Sequence, residues 1–434
     1  MGARRSGIHQ LIAIPSLRVV LGAVLLFWLV GTTCRNGNLP DTPQAPVGPT
    51  RWPVGLADTF SVTTYDPEGD RVRYVFDWGD GTQDSTGYCD VGVPVRAWHA
   101  WTTGGTHPVK ARAYDLQGHG SDWSEATPVT IVGFPHRVVA TIPVGSCAGG
   151  VVIPPGREFA YVTICYTDTV RVIRTSDDSV VATVILPGGP DGCNPMGITA
   201  LPNGEYLYVA CYTSGLVAVV RTLDNAVVAA IPVGYGACDV EALADGRRVY
   251  VTLDGEVRII RTSDNTVEGT IDLGNNNAHG LGASPDGEFV YVANGSCNLV
   301  PVIRTTDNRV VHEISVSPEV NPVDVSVLPS GEYLYVANGV SNTVSVVRTA
   351  SDSVVKTLPV GDGPSAFGVM PEGQFAYIAN RRDGTVTVVR TADHVVASTI
   401  RSVGDGPRGV AVFPDGERVY VADYRDGSII VLGH

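Results

Sequence analysis

From about residue 134 onward, apolar and polar residues alternate in short runs separated by turns rich in Gly, Pro, Asp and Asn, and the whole pattern recurs. A turn ending in Gly and followed by a Tyr-containing run appears as Pro155-Gly156 before FAYVTICY, Pro202-Asn203-Gly204 before EYLYVACY and Ala244-Asp245-Gly246 before RRVYVTLD. It returns as Pro285-Asp286-Gly287 before EFVYVANG, Pro329-Ser330-Gly331 before EYLYVANG, Pro371-Glu372-Gly373 before QFAYIANR and Pro414-Asp415-Gly416 before ERVYVADY. The seven glycines are spaced 48, 42, 41, 44, 42 and 43 residues apart. Pro presets one negative φ and Gly supplies a positive one, so each turn is predicted to close a tight hairpin.

A second run ending in Arg-Thr and a third beginning after an Asp or Asn turn follow each Tyr run, as in Thr343–Arg348 and Val354–Val360. With the run before the turn, such as Gly409–Phe413, each repeat has four strands. Four-stranded units at this period are blades of a β-propeller. The last repeat stops at His434 with three strands. The segment His136–Val144 matches the fourth-strand pattern His394–Ile400. A strand over 137–144 is therefore predicted to complete the seventh blade, removing two sheet edges that would otherwise invite aggregation.

Residues 50–133 read differently, with clusters such as Asp66-Pro67-Glu68-Gly69-Asp70 between alternating runs like Val72–Trp78. This predicts a small β-sandwich. The fold class is thus all-β: a sandwich over 50–133, then a propeller over 134–434. Gly (50) and Pro (29) together make about 18% of 434 residues, below the level of low-complexity disorder. Charged residues are 17% and the net charge is −14, so the basic footprint of a nucleic-acid binder is missing.

The first 34 residues read as an address. Arg4, Arg5 and Arg18 accompany an apolar run, Val19–Val30, that suits an export signal and is too short to span a bilayer. Residues 35–49 then form a polar, Pro-rich tether. Three sequence resemblances follow from these segments. The leader, closing on Gly31-Thr32-Thr33-Cys34, resembles a bacterial lipoprotein signal, although that family favours Ala, Gly or Ser where Thr33 stands. The resemblance implies lipidation at Cys34, with plain secretion or an uncleaved anchor as alternatives. The stretch Phe76-Asp77-Trp78-Gly79-Asp80-Gly81 resembles the immunoglobulin-like domain of the polycystic-kidney-disease (PKD) type, which implies a spacing or adhesion role. The runs Tyr291-Val-Ala-Asn294 and Tyr335-Val-Ala-Asn338 resemble the YVTN β-propeller family over about 300 residues. That resemblance implies a seven-bladed fold and leaves activity open.

Residues that recur in every blade build the blade; a site is sought where the repeat is broken. Arg174, Arg221, Arg261, Arg304, Arg348 and Arg390 recur, each followed by an acid: Asp177, Asp224, Asp264, Asp307, Asp352 and Asp393. Local pairing at a turn is expected for all six. The cysteines do break the repeat. Cys147, Cys165, Cys193, Cys211, Cys238 and Cys297 fall in or beside the loops of one propeller face, and in an exported protein they point to disulfides. Two pairings fit: Cys147–Cys165 with Cys193–Cys211, within blades, or Cys165–Cys193 with Cys211–Cys238, across them.

His279 is the one imidazole placed at that face, as a binding-face residue; a soft-metal site there lacks the close cysteine spacing such ions prefer. In the sandwich, Asp66, Glu68, Asp70, Asp77 and Asp80 offer oxygen ligands without a regular calcium loop. No catalytic spacing of nucleophile, base and acid is found, nor acids and histidines arranged around a central channel. No cofactor is expected. The reading is a non-catalytic envelope protein, lipid-anchored rather than membrane-spanning, that presents a loop face to a protein or glycan. A propeller enzyme of the lactonase or quinoprotein kind, working in the channel, is the rival.

Overall fold

The glycines of the Pro-x-Gly turns carry positive φ, 71° at Gly204, 71° at Gly287 and 73° at Gly331, which a side chain would strain. The Arg-Thr threonine then clasps this turn. Thr222 Oγ1 donates to the Gly204 carbonyl at 2.7 Å, and Thr262, Thr305 and Thr349 do the same to Gly246, Gly287 and Gly331, each at 2.7 Å. The two recurring sequence motifs are therefore halves of one contact.

The computed structural model describes residues 39–434, apart from 55–56, 157, 190–191 and 275–276. Cys34 and the leader lie outside the described residues. Seven four-stranded antiparallel sheets follow residue 136, and they are numbered here as blades 1 to 7. Blade 1 runs from Ala148–Val152 to Ser179–Ile185, blade 2 from Pro195–Ala200 to Ala226–Pro232 and blade 3 from Asp239–Ala242 to Thr266–Asp272. Blades 4, 5 and 6 start at Ala278–Ala283, Pro322–Val327 and Pro364–Val369. Blade 7 holds Pro407–Val412, Val419–Asp423 and Ser428–Gly433, with Arg137–Pro143 as its fourth strand, Ile429 opposite Ile142. The ring is closed by joining the last strand of the chain to the first strand of the propeller.

Apolar runs in the second and third strands follow from burial on both faces. Tyr333–Asn338 and Thr343–Arg348 are almost wholly buried, whereas the outer strand Ser353–Pro359 alternates and is mostly exposed. The core lies between blades. Tyr335, Val344, Val346 and Leu358 of blade 5 pack with Ala376, Ile378 and Val389 of blade 6, and Ile142 and Ile429 of blade 7 pack with Ala160 and Val162 of blade 1. Each such Val, Leu or Ile side chain contributes about 1.5–3 kcal/mol of burial, so the blades depend on their neighbours for a core.

The central tyrosines of five blades reach across to the next blade. The hydroxyl donates to the residue at the turn between the third and fourth strands of the next blade: Tyr161 to Asn225 Oδ1 (3.0 Å), Tyr208 to Asn265 Oδ1 (2.7 Å) and Tyr250 to Asn308 Oδ1 (2.7 Å). Tyr335 bonds His394 Nδ1 at 2.7 Å, and Tyr420 donates to Asp178 across the closure. The partners Asp178, Asn225, Asn265, Asn308 and His394 all have φ between 53° and 57°, a left-handed conformation that Asn and Asp tolerate well. Tyr377 of blade 6 has no such partner to reach. Its neighbour, blade 7, has no such turn because its third and fourth strands, Ser428–Gly433 and Arg137–Pro143, are not consecutive in the chain, and among the described residues the buried Tyr377 hydroxyl has no partner.

Five of the six strand-end arginines pair three residues on: Arg174–Asp177 (3.0 Å), Arg221–Asp224 (2.7 Å), Arg261–Asp264 (2.9 Å), Arg304–Asp307 (2.7 Å) and Arg390–Asp393 (2.6 Å). The expectation for Arg348 is corrected. Its acid lies four residues on, past a 3-10 turn at Thr349–Ser351, and Asp352 faces His312 at 3.7 Å instead. Arg348 turns to Tyr333 Oη at 2.9 Å and to Glu332 at 3.7 Å.

In the segment before the propeller, Arg73–Asp77 pairs antiparallel with Gln83–Ser85 and with the far half of Gly105–Tyr114, and Ala57–Val62 pairs with Val95–Ala100. Phe76 stacks on Trp78 at 5.1 Å and Phe60 meets it edge-on at 5.8 Å. The acids of this segment cap their own turns: Asp66 Oδ1 accepts the N–H groups of Glu68 and Asp70, Asp77 that of Gly79 and Asp80 that of Thr82. No described helix is long and apolar enough to cross a membrane.

Candidate functional site

The first strand of each blade is innermost. These strands approach one another around the ring, Pro407–Val412 lying beside both Pro364–Val369 and Ala148–Val152. Because the blade motifs fix everything outside them, chemistry is free to vary where these strands begin. At one register the residues are Gly149, Met196, Cys238, His279, Val323, Ser365 and Arg408. They surround a cavity of about 470 Å³ at the channel mouth, to which the loop between the second and third strands of blade 6 adds Arg381 and Arg382. A larger groove of about 550 Å³ lies between blades 1 and 2, but it is walled by the repeat's own Pro-x-Gly, Tyr and Arg-Thr residues.

The mouth is cationic. The Arg381 guanidinium carbon stands 4.6 Å from the centre of the Tyr424 ring and that of Arg408 stands 5.2 Å from the same centre, so one aromatic ring attracts both cations. Burial, and then the charge of Arg408, weaken Arg381's hold on its proton. Arg382 is offset by Asp362 at 3.4 Å and Arg425 by Asp405 at 3.4 Å. Among the described residues, neither Arg381 nor Arg408 has a carboxylate within ion-pair distance.

Further along the channel the sign reverses. Asp239 Oδ2 accepts the Leu281 N–H of the next blade at 3.0 Å, and Asp324 Oδ2 accepts that of Phe367 at 3.1 Å. Each carboxylate fits because a glycine stands beside it: a Cβ on Gly197 would come within 2.3 Å of Asp239 Oδ1, and one on Gly280 within 2.2 Å of Asp324 Oδ1. Glu241 and Asp324 line a second cavity of about 210 Å³. Burial raises Asp239 to about 6, and burial together with the Asp239 charge raises Glu241 to about 8 and Asp324 well above the carboxyl range. This corrects the expectation that no acids and histidine gather around the channel. The clue was the acid in an otherwise apolar strand start, Cys238-Asp-Val-Glu241 and Val323-Asp324.

His279 does line the mouth, and burial, then Arg408, lower its pKa, so at neutral pH it is an uncharged imidazole. Cys238 lies beside it; burial, then Asp239, push its thiol up to about 12, which leaves it a poor nucleophile. Cys193 and Cys211 are joined within blade 2. Cys147 and Cys165, at the same spacing in blade 1, are buried thiols, with the Cys165 N–H donating to the Cys147 carbonyl at 3.1 Å. Burial, then Cys147, raise the Cys165 thiol to about 12. Neither cross-blade disulfide forms, since the within-blade bond uses both Cys193 and Cys211.

The sequence thus led to Cys238 and His279 and missed Arg381, Arg408, Tyr424, Asp239, Glu241 and Asp324. The arginines passed unnoticed because Arg381 sits in a loop of blade 6 and Arg408 in the first strand of blade 7, and only the packing of these two blades brings them together.

Residues 249–359, within blades 3 to 5, match the family described as Lactonase, 7-bladed beta-propeller. Among solved structures the chain is similar to Kuenenia stuttgartiensis Hydrazine Synthase, with 20% identity and a TM-score of 0.61 over 66% of this chain and 95% of that one. This likeness is one of fold. No curated protein matches the chain.

Proposed function

We propose that this propeller is a non-catalytic binding module that takes its ligand on the loop face around the channel mouth. The observation that carries the reading is the cavity of about 470 Å³ lined by residues that depart from the repeat, on a ring whose other residues are committed to holding blades together. The low nucleophilicity of Cys238 and the absence of an acid bonded to His279, among the described residues, favour binding over covalent catalysis. In the same proposal residues 1–34 are an export signal, Cys34 is lipidated, residues 35–49 form a tether and residues 50–133 form a PKD-like spacer. The module would then sit at the cell envelope and meet a protein, glycan or small ligand there.

A thermal-melt screen of the purified chain tests this reading. A ligand that binds only the folded state raises the melting temperature with concentration. All six tryptophans precede residue 134, so circular dichroism rather than tryptophan fluorescence must follow the propeller. Ligands that shift the propeller transition, with no product formed, support it.

The lactonase match favours a second reading, a channel enzyme acting on a lactone. There His279, uncharged at neutral pH, would serve as the general base toward water and Arg408 would stabilise the developing oxyanion. Lactone opening that is lost in His279→Ala, while the melting temperature is kept, would replace the binding reading with this one.

A further inference from the structure

The geometry points to a carboxylate site: Arg408 and Arg381, facing the channel mouth over Tyr424, take a small organic monoanion whose apolar end lies against Ile198, Phe367 and Val410. The inference rests on the reading that the channel mouth is the ligand site, and it supplies the ligand's chemistry.

Three observations converge. Arg408 and Arg381 share one cavity and one aromatic ring and, among the described residues, neither is neutralised, whereas their neighbours Arg382 and Arg425 each have an aspartate at 3.4 Å. Two like charges so close in a half-buried place repel, and an anion between them relieves both. A guanidinium matches a carboxylate with two parallel hydrogen bonds, a geometry that a single ammonium lacks.

Part of the wall beyond the arginines is apolar, with Ile198, Phe367 and Val410 contributed by blades 2, 6 and 7. A ligand with no apolar body would leave this wall wet. The net charge of the ligand is set by what lies beyond. Asp239 also lines the cavity, and a second negative charge directed inward would meet its carboxylate, ionised at neutral pH. Inorganic phosphate, partly doubly charged near neutral pH and without an apolar part, fits poorly on both counts. Hexanoate fits both.

The test is titration calorimetry on the full chain at low ionic strength with hexanoate, hexanamide and inorganic phosphate as probes. Hexanoate is expected to bind, with an affinity that falls as sodium chloride is raised. Arg408→Gln and Arg381→Gln should each weaken it about ten- to a hundredfold. Arg408→Lys should recover only part of the loss, and Arg304→Gln, at a strand end outside the cavity where Arg304 pairs with Asp307, should leave it unchanged. Circular dichroism of each variant establishes that the ring is intact. If a glutamine variant fails to fold, the salt dependence and the preference of wild type for hexanoate over hexanamide carry the test.

Equal binding of hexanoate and hexanamide, insensitive to salt and to Arg408→Gln but lost in Phe367→Ala, would overturn the carboxylate site and leave the mouth as a ligand site. Tighter binding of phosphate than of hexanoate would overturn the monoanion. No binding of any probe would overturn the carboxylate site, while a hit elsewhere in the melt screen would keep the binding reading.

Discussion

A tyrosine hydroxyl that crosses to the next blade ties the ring at the scale of single residues. Tyr208→Phe leaves Asn265 Oδ1 without its donor, and a loss of about 1 kcal/mol is expected in denaturant unfolding. Tyr377→Phe removes a hydroxyl that, among the described residues, already lacks a partner, so it should be neutral or stabilising, and equal losses at both positions would count against the staple. The channel carboxyls make a second residue-scale prediction. Glu241, raised to about 8, and Asp239, raised to about 6, keep protons in the folded chain that the unfolded chain releases in the ordinary carboxyl range. The folded state binds more protons there, so their contribution to stability falls as pH rises from about 4 to about 8. His279, with its lowered pKa, gives the opposite slope below the ordinary imidazole range. The difference between wild type and Glu241→Gln isolates the carboxyl: the variant's melting temperature should fall less between pH about 5 and about 8. The repeated tyrosines were legible in the sequence as strand markers. Their hydroxyl partners were not, because four of them lie 57 to 64 residues ahead and that of Tyr420 lies 242 residues back, each at a turn whose left-handed residue varies among Asn, Asp and His.

Elements were the most legible scale. The Pro-x-Gly turns and Arg-Thr ends occur where the repeat placed them because both are fixed by local conformation, and the clasp of threonine on glycine carbonyl makes them one unit. Arg348 shows where such reading fails, since a single extra residue before Asp352 sends the arginine to a tyrosine. Closure by Arg137–Pro143 depends on the packing of that strand. Ile142 is 5% exposed among residues of blades 1 and 7, so Ile142→Ala should cost about 2–5 kcal/mol. Val139→Ala on the same strand, 49% exposed, should change little. Melting of both variants by circular dichroism checks the difference. The Cys193–Cys211 bond, 18 residues apart, constrains the unfolded chain, and the Cys193→Ala/Cys211→Ala variant should lose about 3 kcal/mol. An unchanged melting temperature would assign the bond no structural weight.

For the whole molecule, the ring makes the site. Arg381, Arg408, His279 and Asp324 come from blades 6, 7, 4 and 5, and sequence distance alone gives no sign that they share a channel. Blades sharing their cores leave the innermost strand starts, where residues depart from the repeat, as the place inside the ring where chemistry varies. The channel consequently carries a cationic mouth and an acidic interior on a chain whose overall charge is −14. Hydrogen exchange of the full chain, with and without saturating hexanoate, tests this account most directly. Slowed exchange is predicted at the strand starts around Cys238–Val240, Ala278–Leu281, Pro364–Phe367 and Pro407–Val410, with the Pro-x-Gly turns unaffected. Slowing centred on those turns or on the outer strands, or no slowing anywhere, would contradict it.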